Sequence, residues 1–131
     1  MRHSAVKILF LAAAWFAAEL CAMDPQEYFR LQTRSMEITL EGAMAIKRCL
    51  QKGGCTPSDE LAIAESTHKK IQNLYLEADT TPAEAARYYT RHSRKLDAMY
   101  TALPYGEKLA DLRRRLEEID ETIETLREEE R

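Results

Sequence analysis

Beyond residue 24, apolar side chains recur at steps of three and four, the period that gathers them on one side of an α-helix. Four segments carry this pattern. The first presents Phe29, Met36, Leu40, Ala43 and Leu50, and the second Leu61, Ala64, Ile71, Leu74 and Tyr75. The third presents Ala85, Tyr88, Leu96, Met99 and Leu103. The fourth is stricter: Leu109, Leu112, Leu116, Ile119, Ile123 and Leu126 alternate steps of three and four, which is a heptad repeat. Each segment therefore predicts one helix with one buried stripe.

The boundaries are written in capping chemistry. Asp24-Pro25-Gln26-Glu27, Thr56-Pro57-Ser58-Asp59 and Thr81-Pro82-Ala83-Glu84 each place a side-chain acceptor before a proline and an acid two residues after it. The acceptor satisfies otherwise unpaired N–H groups of the first turn, proline surrenders none that the helix needs, and the acid suits the positive end of the helix dipole. Gly53-Gly54, Asp79 and the run Leu103-Pro104-Tyr105-Gly106 are stop signals. Helices over about 25–52, 57–78, 82–103 and 107–130 follow. Short connections between helices of similar length make sequential neighbours antiparallel, so the expected architecture is an all-α, up-down-up-down four-helix bundle in one domain, 23–131.

Composition narrows the picture. Of the strong strand formers, Val6 is the only valine and Trp15 the only tryptophan, and past residue 22 the only phenylalanine is Phe29. That scarcity excludes a β-sheet fold. A net charge of −3 over 131 residues argues against a nucleic-acid binder, which carries a basic face on a basic total. The charge is uneven, since residues 107–131 hold 6 basic and 10 acidic side chains whereas 23–106 hold 11 of each. Folding the fourth helix back about residue 105 would set Arg91 near Asp120 and Arg87 near Glu124, which favours packing within the chain. The alternative use of the heptads is a homodimer, or a homo-oligomeric coiled-coil structural protein.

Residues 1–22 read as a secretory signal peptide. Arg2 and Lys7 supply the positive start, and Ile8 to Ala18 is an apolar run of 11 residues, short of the roughly 20 that a bilayer span requires. Cleavage after Ala22 leaves a small residue at the cut and no membrane span in the mature chain. Cys21 lacks the small residue directly before it that lipid attachment requires. Removal of Cys21 leaves Cys49 and Cys55, an even count suited to an oxidising compartment, and these are expected to form a disulfide.

His68 and His92 are the only histidines past the leader, and each lies 12 residues from position 80. A straight hairpin turning there would bring them level. With Glu65, which forms a Glu-x-x-His spacing with His68, they are the candidate metal ligands. The tyrosines, the methionines and the run Arg113-Arg114-Arg115 read as core filler or solvated surface. No nucleophile and base, phosphate-cradling loop or cofactor motif can be assembled, so an enzyme is not expected. The functional expectation is an exported, periplasmic or secreted helical protein that binds another protein without catalysis, as a chaperone, secretion accessory, inhibitor or immunity protein does. The alternatives are a metal-binding or metal-sensing bundle on His68 and His92 and the coiled-coil structural protein.

Overall fold

A computed structural model describes residues 23–102 and 104–130; residues 1–22, on which the signal-peptide expectation and Cys21 fall, lie outside the described residues. Among the described residues four helices make an all-α bundle: α1 (Pro25–Lys52), α2 (Pro57–Glu77), α3 (Pro82–Ala102) and α4 (Pro104–Glu129). The three anticipated caps form. Asp24 Oδ1 accepts the Glu27 N–H at 2.8 Å, Thr56 Oγ1 accepts that of Asp59 at 3.1 Å, and Thr81 Oγ1 accepts that of Glu84 at 3.1 Å. At α2 the arrangement is reciprocal, because Asp59 also accepts the Thr56 N–H at 3.0 Å.

The stops follow from backbone geometry. Gly53 and Gly54 take φ of 77° and 72°, which ends α1 and turns the chain so that Cys49 and Cys55 bond across a Cα separation of 5.3 Å. Asp79 ends α2 with φ 53°, a left-handed conformation that Asp tolerates better than most residues. The fourth helix begins at Pro104, three residues ahead of the expected 107. Proline fits a first helical turn. Gly106 makes the early start feasible, since a Cβ there would overlap the Tyr100 carbonyl oxygen of α3.

The helices are not equal partners. α1 is central: α2 packs along it, and α4 packs along it more extensively, whereas α2 and α3 barely touch. Serving two neighbours requires two stripes where one was expected. Leu31, Ile38 and Gly42 face α2, with Leu31 in a cluster with Tyr75 and Gly42 against the Thr67 side chain. Phe29 and Met36 face the other way, into a cluster with Leu96 and Leu109. The heptad positions of α4 are all turned inward, Leu109, Leu112 and Ile123 buried and Leu116, Ile119 and Leu126 partly so.

Alternation of direction holds for α1 and α2, with Leu31 level with Tyr75 and Gly42 level with Thr67. It changes at α3. Ala85 packs near Leu31 and Leu96 packs on Phe29, so a stretch of α3 worth about 16 Å meets a single turn of α1. α3 thus crosses the end of the bundle instead of returning along it, and it bends at His92, whose φ of −122° and ψ of 22° are not helical. In consequence α4 leaves from the end where α1 begins and runs in the same direction. Phe29 stacks on Tyr105 at one end, with ring centroids 4.9 Å apart, and Arg127 bonds to Glu60 of the first turn of α2 at the other.

This corrects the expected charge register. Arg87, Arg91, Asp120 and Glu124 are all exposed and form no ion pair with one another among the described residues. The pairs that tie α4 to the other helices are Arg127 with Glu60 and Lys108 with Glu37 at 3.8 Å. Both are solvent-exposed and fix register more than stability.

A tyrosine-walled cavity between three helices

The anticipated histidine site is not assembled. His68 and Glu65 are exposed on α2 at the level of Gly42, whereas His92 sits at the bend of α3 with its ring 4.5 Å from Tyr88. Tyr88 in turn lies 5.9 Å from Tyr28. Fourteen residues of α1, about 21 Å at its helical rise, separate the two levels. The physical reason is the crossing of α3, which removes the straight hairpin on which the pairing depended. Among the described residues, the one grouping of three ligand-type side chains is Cys49, Cys55 and Asp59, within 4.8 Å of one another. Its sulfurs are bonded to each other and its carboxylate caps α2, so it offers no donor set as it stands.

The bend that separates the histidines builds something else. Between α1, α3 and α4 lies a partly open cavity of about 350 Å³. Phe29, Leu96 and Leu109 are its apolar floor, all buried. Tyr28, Gln32 and Met36 line it from α1, Tyr89, Asp97 and Tyr100 from α3, and Arg113 from α4. Each helix contributes for a local reason. The first turns of α1 carry adjacent aromatics, Tyr28 and Phe29, packed edge to face at 5.5 Å, so that one ring enters the core while its neighbour forms a wall. Across the bend at His92, Tyr89 donates its hydroxyl hydrogen to Asp97 Oδ1 at 2.9 Å. Gly106 admits the start of α4 against Tyr100, which brings Leu109 and Arg113 to the same opening.

The phenols are held protonated. Burial pushes the Tyr28 hydroxyl above its ordinary value, with Tyr89, Tyr75 and Asp97 adding to the effect. Tyr89 is raised first by its hydrogen bond to Asp97. Burial raises Tyr88, with Asp24 contributing. Neutral phenols donate and accept hydrogen bonds but do not serve as bases near neutral pH. The arrangement is therefore an apolar pit with a hydrogen-bonding rim, which is binding chemistry.

Sequence reasoning took the tyrosines for packing and Arg113 for solvated surface. The available signal was Tyr88-Tyr89, a pair on consecutive positions that a single buried helical stripe cannot both occupy. No helix of the described residues is long and apolar enough to cross a membrane. Comparison of the chain with protein-family models, with curated proteins and with solved structures finds no match to any of them.

Proposed function

We propose that this is an exported, non-catalytic protein that binds a partner protein, with the cavity between α1, α3 and α4 receiving an apolar side chain of that partner. The single observation that carries the reading is the cavity itself: three buried apolar residues beneath a rim of Tyr28, Tyr89, Tyr100, Gln32 and Arg113. Its volume lies at the small end of the roughly 300–1,000 Å³ range of ligand sites, which suits one large side chain rather than a folded segment. An aromatic-lined pit filled by one anchor residue is how a few contacts come to dominate a protein interface. The Cys49–Cys55 bond suits an oxidising compartment, and the apolar run of the leader suits export to one. Homo-oligomerisation through α4 draws no comparable support, because the heptad side chains face α1 of the same chain.

The experiment is photocrosslinking in the intact cell. A benzophenone amino acid at Tyr89, which is 38% exposed at the rim, is expected to give discrete protein adducts. The same probe at Lys69, on the exposed part of α2, is expected to give none. Equal adducts from both positions, or none from Tyr89, would refute binding at the cavity. Export is read from the N-terminus of the purified protein, expected at Met23.

A further inference from the structure

Arg113 stands at the cavity with no carboxylate within 4.0 Å among the described residues. Its surroundings make this informative. Arg114, the next residue, is doubly paired, with Asp111 at 2.7 Å and Glu118 at 2.9 Å. Glu117 lies one turn beyond Arg113 in the spacing that commonly forms helical ion pairs, yet the two are not joined. Asp97 lines the same cavity and accepts the Tyr89 hydroxyl instead. The result is an unneutralised guanidinium, a planar donor fork suited to a carboxylate, beside an apolar floor of Phe29, Leu96 and Leu109.

Resting on the protein-binding reading above, we propose that the cavity captures the C-terminal residue of the partner chain: an apolar side chain on the floor, its free carboxylate on Arg113. A chain end is the one place in a protein where an apolar side chain and a carboxylate belong to the same residue. An internal Asp or Glu brings the charge without the apolar body. The size of the cavity agrees, since about 350 Å³ between three helices accommodates a single terminal residue. The rim phenols of Tyr28 and Tyr100 and the Gln32 amide supply donors and acceptors for the last peptide group.

The test titrates isotopically labelled protein, observed by amide NMR, with three probes: N-acetyl-leucyl-phenylalanine, its C-terminal amide, and decanoate. The free acid is expected to shift the resonances of Tyr28, Leu96 and Arg113 saturably, and the amide to bind roughly tenfold more weakly for loss of the charged contact. R113Q is expected to bind acid and amide alike with an unchanged melting midpoint, since Arg113 is exposed, whereas R114Q keeps the discrimination. Acid and amide binding equally to the unmodified protein would overturn the proposal, as would retention of the preference in R113Q. Decanoate binding while both peptides stay silent would overturn it in favour of a fatty-acid site, and silence of all three probes would also overturn it. Partner adducts at Tyr89 combined with indifference between acid and amide would sink the chain-end proposal alone and leave protein binding intact.

Discussion

Gly42 shows how much a single missing side chain decides. It sits inside α1, where glycine costs about 1 kcal/mol of helix propensity relative to alanine, yet a Cβ there would overlap the Thr67 side chain of α2. Thr67 cannot simply swing away, because its hydroxyl donates to the Ile63 carbonyl at 2.9 Å. Gly42→Ala is therefore expected to destabilise by about 1–3 kcal/mol despite the better propensity, and adding Thr67→Ala should restore most of the loss. Urea midpoints of the three variants decide it, and a stabilised single variant would mean that α1 and α2 are not so close. A different residue-scale effect governs the start of α2. The Thr56 backbone N–H, and secondarily the Thr56 side chain, hold the Asp59 carboxyl below the ordinary carboxylate value. The folded value is the lower one, so the unfolded chain binds the proton first as pH falls. The contribution of Asp59 is then complete above about pH 4 and is lost as pH drops through the folded value. The difference in urea midpoint between the wild type and Asp59→Asn should be constant from pH 7 to 5 and shrink steadily below 4.

Whole elements differ in how far their sequences announce them. The starts of α1, α2 and α3 were legible because Asp24, Thr56 and Thr81 with their prolines act within one turn, where no distant contact can override them. The inward face of α4 was legible because six large aliphatics repeat at heptad spacing. The second stripe of α1 was not, since Gly42, which shares the face of Leu31 and Ile38, does not read as a core residue. Nor was the bend of α3. No proline or glycine lies near His92, and the features that accompany the bend, Tyr88 on Tyr28 and Tyr89 on Asp97, depend on tertiary placement. The histidine pairing failed with the straight helix it assumed, and the cavity that replaced it depends on the same bend. The Cys49–Cys55 pairing was legible, because the two stand only six positions apart across a Gly-Gly turn. By loop-entropy reasoning so short a closure is worth about 2 kcal/mol. Reductant should lower the melting midpoint of the wild type by a few degrees and leave a Cys49→Ser/Cys55→Ser variant unmoved. Amide exchange should quicken first at the end of α1 and the start of α2.

Across the molecule, stability is concentrated on one helix. α1 provides seven of the buried positions and touches both α2 and α4, whereas α2 has Tyr75 as its one buried residue and leaves Leu61 and Leu76 exposed. Such a layout makes the pairing of α1 with α4 the principal seam. It also separates two uses of the heptads that sequence alone leaves open. Were α4 an arm for a second chain, removing it would yield a folded monomer with an intact core. With α4 packed on α1, truncation at residue 103 takes Leu109, Leu112 and Ile123 away together and uncovers Phe29 and Leu96, which share a cluster with Leu109. Loss of a single large core side chain typically costs about 2–5 kcal/mol, and this change removes at least three, against a total stability on the order of 5–15 kcal/mol. Residues 23–103 alone should therefore aggregate or melt without a cooperative transition. Circular dichroism and light scattering on that fragment read the outcome. A soluble, cooperatively melting monomer would overturn the α1–α4 seam, and with it the wall that carries Arg113 to the cavity.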